Sequence, residues 1–152
     1  RTGLAVSWGL TLVHEGWTVG HRQHYPTGQL EQRNHKVILA GGIIDPNEQA
    51  VRGTLSRLIL QQIHVDKVII GAKAISVARG ISAETPEEAE LFRACIACGD
   101  QVIVVTDSSK FQKSALSRVA SIQDVHTLVT DRSLGRETAQ QLEELGIHLV
   151  LV

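Results

Sequence analysis

The sequence predicts an α/β fold: an open, mostly parallel sheet with helices on both faces. Short β-branched runs recur along the chain, and most are apolar at every position instead of alternating. Strands buried on both faces of a parallel sheet read that way. Stretches of helical periodicity lie between these runs, and such alternation requires crossover connections. Aromatic residues make up only 3% of the 152, so Val, Ile, Leu and Ala must fill the core.

The elements follow in order. Leu4–Ser7 is the first expected strand. The stretch "HEGWTVGHRQHYPTGQLEQRNH", His14 to His35, has no clean period and is expected to be loop or irregular. Lys36–Ala40 is the second strand. Leu55, Leu58, Ile59 and Ile63 then fall at helical spacing before a third strand at Lys67–Ile70. Thr85-Pro86-Glu87-Glu88 carries a capping threonine, a proline in the first turn and a glutamate three residues after the cap, which together start a helix. Leu91, Phe92, Cys95 and Ile96 give it one apolar face, and Gly99 stops it. Strands are expected at Gln101–Thr106, His126–Thr130 and Ile147–Val152, with a helix marked by Thr138, Leu142 and Leu145 and closed by Gly146.

With 43% hydrophobic and 20% charged residues the chain is globular, and its length fits one domain spanning 1–152. A net charge of −1 argues against a surface that grips nucleic acid unaided. No apolar run approaches the ~18 residues of a membrane span, and no signal-peptide pattern opens the chain, so no membrane partner is expected. Cys95 and Cys98 are the only cysteines, and two thiols within one helical turn cannot staple a fold. A reducing, cytoplasmic setting is expected. The chain opens on Arg1, not Met, so further sequence is expected upstream.

In open parallel sheets ligands sit beyond the carboxyl ends of the strands. The residues following the strands are Ser7-Trp8-Gly9-Leu10-Thr11, Gly41-Gly42, Gly71-Ala72-Lys73, Asp107-Ser108-Ser109-Lys110 and Asp131-Arg132-Ser133. Glycine lets backbone N–H groups approach a ligand, while hydroxyls and lysines donate to phosphate oxygens. Each segment alone could be an ordinary turn. Together they make Ser7, Gly9, Thr11, Gly41, Gly42, Gly71, Lys73, Ser108, Ser109 and Lys110 the candidate ligand-binding residues. The alternative for Lys110 is an ion pair with Asp107.

Other groups carry structural expectations. Cys95-Ile96-Ala97-Cys98 sits at a helix carboxyl end, where the dipole opposes thiolate, so both cysteines are expected in the core. The spacing of His14, His21, His24 and His35 matches no standard metal site, and neither metal nor cofactor is expected. Glu88 is expected to cap its helix. Asp131 and Arg132 read as a turn and helix start, and nothing decides whether Trp8 and Trp17 stack on a ligand or pack.

The stretches "VILAGG" (37–42), "VRGTLS" (51–56), "DKVIIGA" (66–72), "EEAELFRA" (87–94), "VTDSSKF" (105–111) and "TLVTD" (127–131) resemble the carboxyl-terminal effector domain of DeoR-type bacterial transcription regulators. "SWGLT" (7–11) is similar to that family's first loop. The resemblance implies a fold akin to ribose-5-phosphate isomerase, binding of a phosphorylated sugar, and a winged helix-turn-helix upstream of this chain. It also implies that Ser7, Gly9 and Thr11 hold the phosphate, that Lys110 adds a cation, and that Ser108 and Ser109 shape its loop. The chain departs from the pattern at Lys73-Ala74, where the family has Asp then Gly, at Phe92, where it has Lys, and throughout His14–His35. A sensor of this kind must self-associate to control DNA through an attached module, so a homo-oligomer is expected. The alternatives are an isomerase of the same fold, disfavoured because Lys73 replaces the expected carboxylate, and a vestigial domain serving only oligomerisation.

Overall fold

In a computed structural model of the chain, the described residues are 2–6, 10–14, 17–19, 36–38, 43–45, 50–52 and 54–152, those before 54 as backbone strands. The fold is mixed α/β, and the chain divides into two compact units, Arg1–Ile69 with Ala94–Asp100 and Ile70–Arg93 with Gln101–Val152.

In the first unit, β1 (Thr2–Val6) and β2 (Leu10–His14) form an antiparallel pair in register from Thr2↔His14 to Val6↔Leu10. β3 (Trp17–Val19) continues antiparallel to β2 through His14↔Trp17, and β4 (Lys36–Ile38) lies parallel to β3. Part of the stretch expected to be irregular is therefore strand. β5 (Ile43–Asp45) and β6 (Ala50–Arg52) form a separate antiparallel pair. Helix α1 (Thr54–Leu60) ends earlier than its periodicity suggests, and Ile63 lies beyond it. β7 (Val65–Ile70) begins before the expected Lys67, because Asp66 and Lys67 are its exposed positions while Val65, Val68 and Ile70 are buried.

Close packing in this unit explains one glycine. A Cβ at Gly99 would meet Val68 Cγ2 at 2.3 Å and Val65 Cγ2 at 3.1 Å, and Val65 N–H donates to the Cys98 carbonyl at 2.8 Å. Cys95 and Cys98 are buried, and the Cys98 thiol donates to the Cys95 carbonyl at 3.1 Å. Burial pushes the Cys95 thiol well above its ordinary value and that of Cys98 up to about 11, as expected of core cysteines.

The second unit holds most of β10 (Gly99–Val105), with β12 (Thr127–Thr130) parallel to it and β13 (His148–Leu151) parallel to β12. Helix α2 (Pro86–Ala97) starts as its sequence dictates, with Glu88 N–H donating to Thr85 Oγ1 at 3.2 Å. Glu88 Oε2 reaches back to accept from Glu84 N–H at 3.3 Å, one residue before the expected partner. Helix α3 (Arg136–Glu144) is the crossover from β12 to β13. It closes with Gly146 at φ +82°: Gly146 N–H donates to Glu143 O at 2.9 Å and Ile147 N–H to Leu142 O at 3.1 Å. That is a Schellman motif, and the buried side chains of Leu142 and Ile147 supply its apolar pairing.

This unit also contains an antiparallel sheet that the pattern of apolar runs did not reveal. β8 (Ala74–Ser76), β9 (Gly80–Ala83) and β11 (Ser117–Ala120) pair in the order β11-β9-β8. Gly80, at φ +76°, is required there, since a Cβ would lie 2.0 Å from the Ala120 carbonyl oxygen. Val102, Val104, Leu128, Ile75, Ile81, Ile122, Val125 and Leu142 are among its core residues. Among the described residues no helix is long and apolar enough to cross a membrane.

Candidate ligand-binding site

The carboxyl ends of β10 and β12 are built from two copies of one short pattern, Thr106-Asp107-Ser108-Ser109 and Thr130-Asp131-Arg132-Ser133. In each, the aspartate accepts a hydrogen bond from the backbone N–H two residues on: Ser109 N to Asp107 Oδ1 at 3.1 Å and Ser133 N to Asp131 Oδ1 at 2.9 Å. Such Asx turns bend the chain sharply as it leaves a strand. The two turns are also joined. Ser108 N–H donates to Asp131 Oδ2 at 2.7 Å, and its hydroxyl donates to Asp131 Oδ1 at 2.9 Å.

After Asp107 the chain makes a 3-10 turn at Ser108–Lys110, with Lys110 N–H donating to the Asp107 carbonyl and Phe111 N–H to that of Ser108. Buried Phe111 anchors its far end and bridges to Ile75. Thr106 holds the near end: its N–H donates to Val129 O at 3.0 Å and its hydroxyl to Ala72 O at 3.1 Å. The segment Gly71–Lys73 and the Ser108–Lys110 turn are thereby tied through Ala72 and Thr106.

The electrostatics follow from these bonds. Donation by Ser108 N–H, Ser133 N–H and the Ser108 hydroxyl lowers the Asp131 carboxyl from 3.8 to about 2. Asp107 is also held below its ordinary value, chiefly by the Ser109 hydroxyl, with Lys110 contributing. Both are fixed anions at neutral pH, poorly matched to proton abstraction. The Ser108 and Ser109 hydroxyls donate to these carboxylates, so they shape the loop and leave only lone pairs outward. The Lys110 ammonium lies 3.9 Å from Asp107 Oδ2, a loose ion pair, and its side chain is 35% exposed.

Lys73 is placed differently. Its side chain is 11% exposed, with Nζ 3.0 Å from Glu84 Oε2 and 3.6 Å from Glu88 Oε1. Glu88 therefore serves both as the helix cap and as counterion to the lysine that stands where the resembling family has aspartate. The charge inversion at 73 is matched locally by Glu84 and Glu88.

Of the other candidates, Gly71 lies directly before Ala72 in the tied segment. Thr11 stands within β2, paired with Ala5, where a loop residue was expected. Ser7, Gly9, Gly41 and Gly42 lie outside the described residues, as do Trp8 and the histidine cluster beyond the backbone of His14. Among the described residues no group of histidine, cysteine and carboxylate side chains could hold a metal ion. The residues that sequence reasoning underrated are Asp131, Thr106 and Glu84. The repeated Thr-Asp-x-Ser pattern at the ends of the paired strands β10 and β12 was the available signal for the first two.

This arrangement defines an α/β domain whose polar groups gather at parallel strand ends. The model of the DeoR C terminal sensor domain matches residues 23–132, and the chain belongs to this family. It is 44% identical over 92 residues to the transcriptional repressor AccR of Agrobacterium fabrum, covering 60% of this chain and 36% of the repressor. It is 32% identical over 121 residues to the HTH-type transcriptional regulator YulB of Bacillus subtilis, covering 80% of this chain and 47% of that protein. It is 28% identical over 122 residues to the L-fucose operon activator of Haemophilus influenzae, covering 80% of this chain and 49% of the activator. The chain thus spans about half the length, or less, of these curated relatives.

Proposed function

We propose that residues 1–152 form one effector-binding and oligomerisation domain of a cytoplasmic DeoR-family regulator. It binds a phosphorylated sugar at its strand-end loops and does not transform it. Lys110 supplies the cation for the phosphate, and Gly71 lets the backbone approach it closely; the sequence alone adds Ser7, Gly9, Thr11, Gly41 and Gly42 as candidate donors. Ligand binding favours one arrangement of the oligomer over another and so alters DNA binding by a helix-turn-helix elsewhere in the protein.

The observation that carries this reading is the Ser108–Lys110 turn. Two aspartates and Phe111 fix its backbone, yet its ammonium is held only loosely at 3.9 Å from Asp107. A preorganised loop with an available cation costs little to bind an anion. The relative named as an L-fucose operon activator supports the sugar class. The non-enzymatic reading is supported by Glu88, whose carboxylate is committed to Lys73 and the Glu84 N–H. One observation favours a domain serving oligomerisation alone: Lys73, Ser108 and Ser109 are already engaged within the protein.

A thermal-shift panel of triose, pentose and hexose phosphates, each at millimolar concentration and beside its unphosphorylated sugar, tests the proposal. At least one phosphate ester should raise the melting temperature and its parent sugar should not. A folded sample that responds to none of them would leave oligomerisation as the domain's role.

A further inference from the structure

The antiparallel sheet carries a basic concavity that the proposed sugar-phosphate site does not use. It measures about 330 Å3 and is lined by Ala78, Arg79, Ser82, Ser114, Leu116 and Arg118, with Ala115. Arg79 sits in the turn between β8 and β9, where its backbone N–H donates to Ser76 Oγ at 3.0 Å. Its guanidinium donates to Ser114 Oγ at 3.5 Å, in the loop that leads into β11. Arg118 on β11 stands opposite Ser82 on β9 in the antiparallel register, so both side chains leave the same face. A third guanidinium, that of Arg93, donates to the Arg118 carbonyl and adds positive charge beside the same strand.

None of these arginines forms an ion pair among the described residues, although the chain as a whole has slightly more acidic than basic residues. Like charges gathered at one concavity repel, and an anion between them relieves that repulsion. Hydroxyl donors are also at hand. Ser82 Oγ accepts from Ala115 N–H at 2.8 Å and Ser114 Oγ accepts from Arg79, which leaves each hydroxyl hydrogen able to donate outward.

We infer that this concavity is a second anion site, which takes a small phosphate-bearing molecule between Arg79 and Arg118. The forked guanidinium matches phosphate oxygens in pairs, and the volume lies at the small end of ligand pockets. A nucleic-acid backbone would need a broader basic face than one concavity of this size offers. The site stands on residues separate from Lys110 and does not depend on the strand-end reading.

Isothermal titration calorimetry of the full chain with inorganic phosphate and inorganic pyrophosphate tests it, at low ionic strength and with sodium chloride as control. Pyrophosphate should bind more tightly than phosphate. In the Lys110→Ala background, which removes the cation of the strand-end turn, Arg79→Gln and Arg118→Gln should each weaken it about tenfold, and Arg118→Lys should weaken it less than Arg118→Gln. Arg93→Gln should have a smaller effect than either. Unaltered circular dichroism and melting temperature would show that the arginine variants remain folded. Absence of pyrophosphate binding, or binding lost in Lys110→Ala and kept in both Arg→Gln variants, would overturn the inference. Displacement of pyrophosphate by a short DNA duplex at physiological salt would also overturn it, by making the surface a nucleic-acid contact.

Discussion

Gly80 and Gly146 permit a controlled measurement of how firmly the antiparallel sheet is packed. Both adopt positive φ, +76° and +82°, so replacement by alanine carries a similar backbone penalty of about 1–2 kcal/mol at each. Their surroundings differ. Among the described residues a Cβ at Gly146 meets nothing within 4 Å, whereas at Gly80 it lies 2.0 Å from Ala120 O, 2.9 Å from Ile122 N and 2.9 Å from Ser121 C. Those are backbone atoms, and no rotamer change can move them aside. The β9–β11 pair must separate, which adds roughly the 1–3 kcal/mol typical of overpacking. Gly146→Ala should therefore cost about 1–2 kcal/mol and Gly80→Ala about 2–5 kcal/mol. Gly99→Ala offers an intermediate case, because its obstacles include the movable methyls of Val68 and Val65. Urea unfolding of the three variants beside the parent, with the slope unchanged, gives the comparison. Equal losses for Gly80→Ala and Gly146→Ala would refute the reasoning, since the two differ in the contact with Ala120.

Two further outcomes follow from the strand ends. Thr130 Oγ1 is buried with no hydrogen-bond partner among the described residues, so Thr130→Val should be neutral or stabilise by about 1 kcal/mol in the same urea assay, and a clear loss would mean that the hydroxyl is satisfied. Asp131 is lowered from 3.8 to about 2, so its contribution to stability is present in full above the unfolded value and drains away as pH falls toward about 2. Thermal melts across the acid range should show this loss in the parent and a flatter limb in Asp131→Asn, and coincident acid limbs would count against the Ser108–Asp131 tie.

The parallel ladder was legible from local sequence. Gln101–Thr106 and His126–Thr130 anticipate β10 and β12 to within two residues, because buried parallel strands are continuous apolar runs. The start of α2 and the close of α3 were legible for the same reason: Thr85-Pro86 and Gly146 act through neighbours in the chain. The antiparallel sheet was hidden because its strands have only three or four residues and β9 is buried at all four positions, so no alternation betrays it. β3 escaped notice within the histidine-rich stretch because three residues are too few to set a period.

The site was legible as a place more than as a set of roles. Lys110 and the Ser108–Ser109 pair do lie at a strand end, as expected. That the serines donate inward depends on Asp131 standing on the neighbouring strand, which their own sequence cannot state. The same holds for Lys73, whose partners Glu84 and Glu88 arrive eleven and fifteen residues later through the β8–β9 hairpin and the start of α2.

The most direct test of the sugar-phosphate reading is a calorimetric comparison of the parent chain and Lys110→Ala, using whichever sugar phosphate gives the largest thermal shift. A cation paired with phosphate contributes roughly 1.5–3 kcal/mol, so affinity should fall about ten- to a hundredfold while the melting temperature without ligand barely changes. Equal affinity in the two proteins would contradict the placement of the phosphate at Lys110 and return that residue to its loose pairing with Asp107.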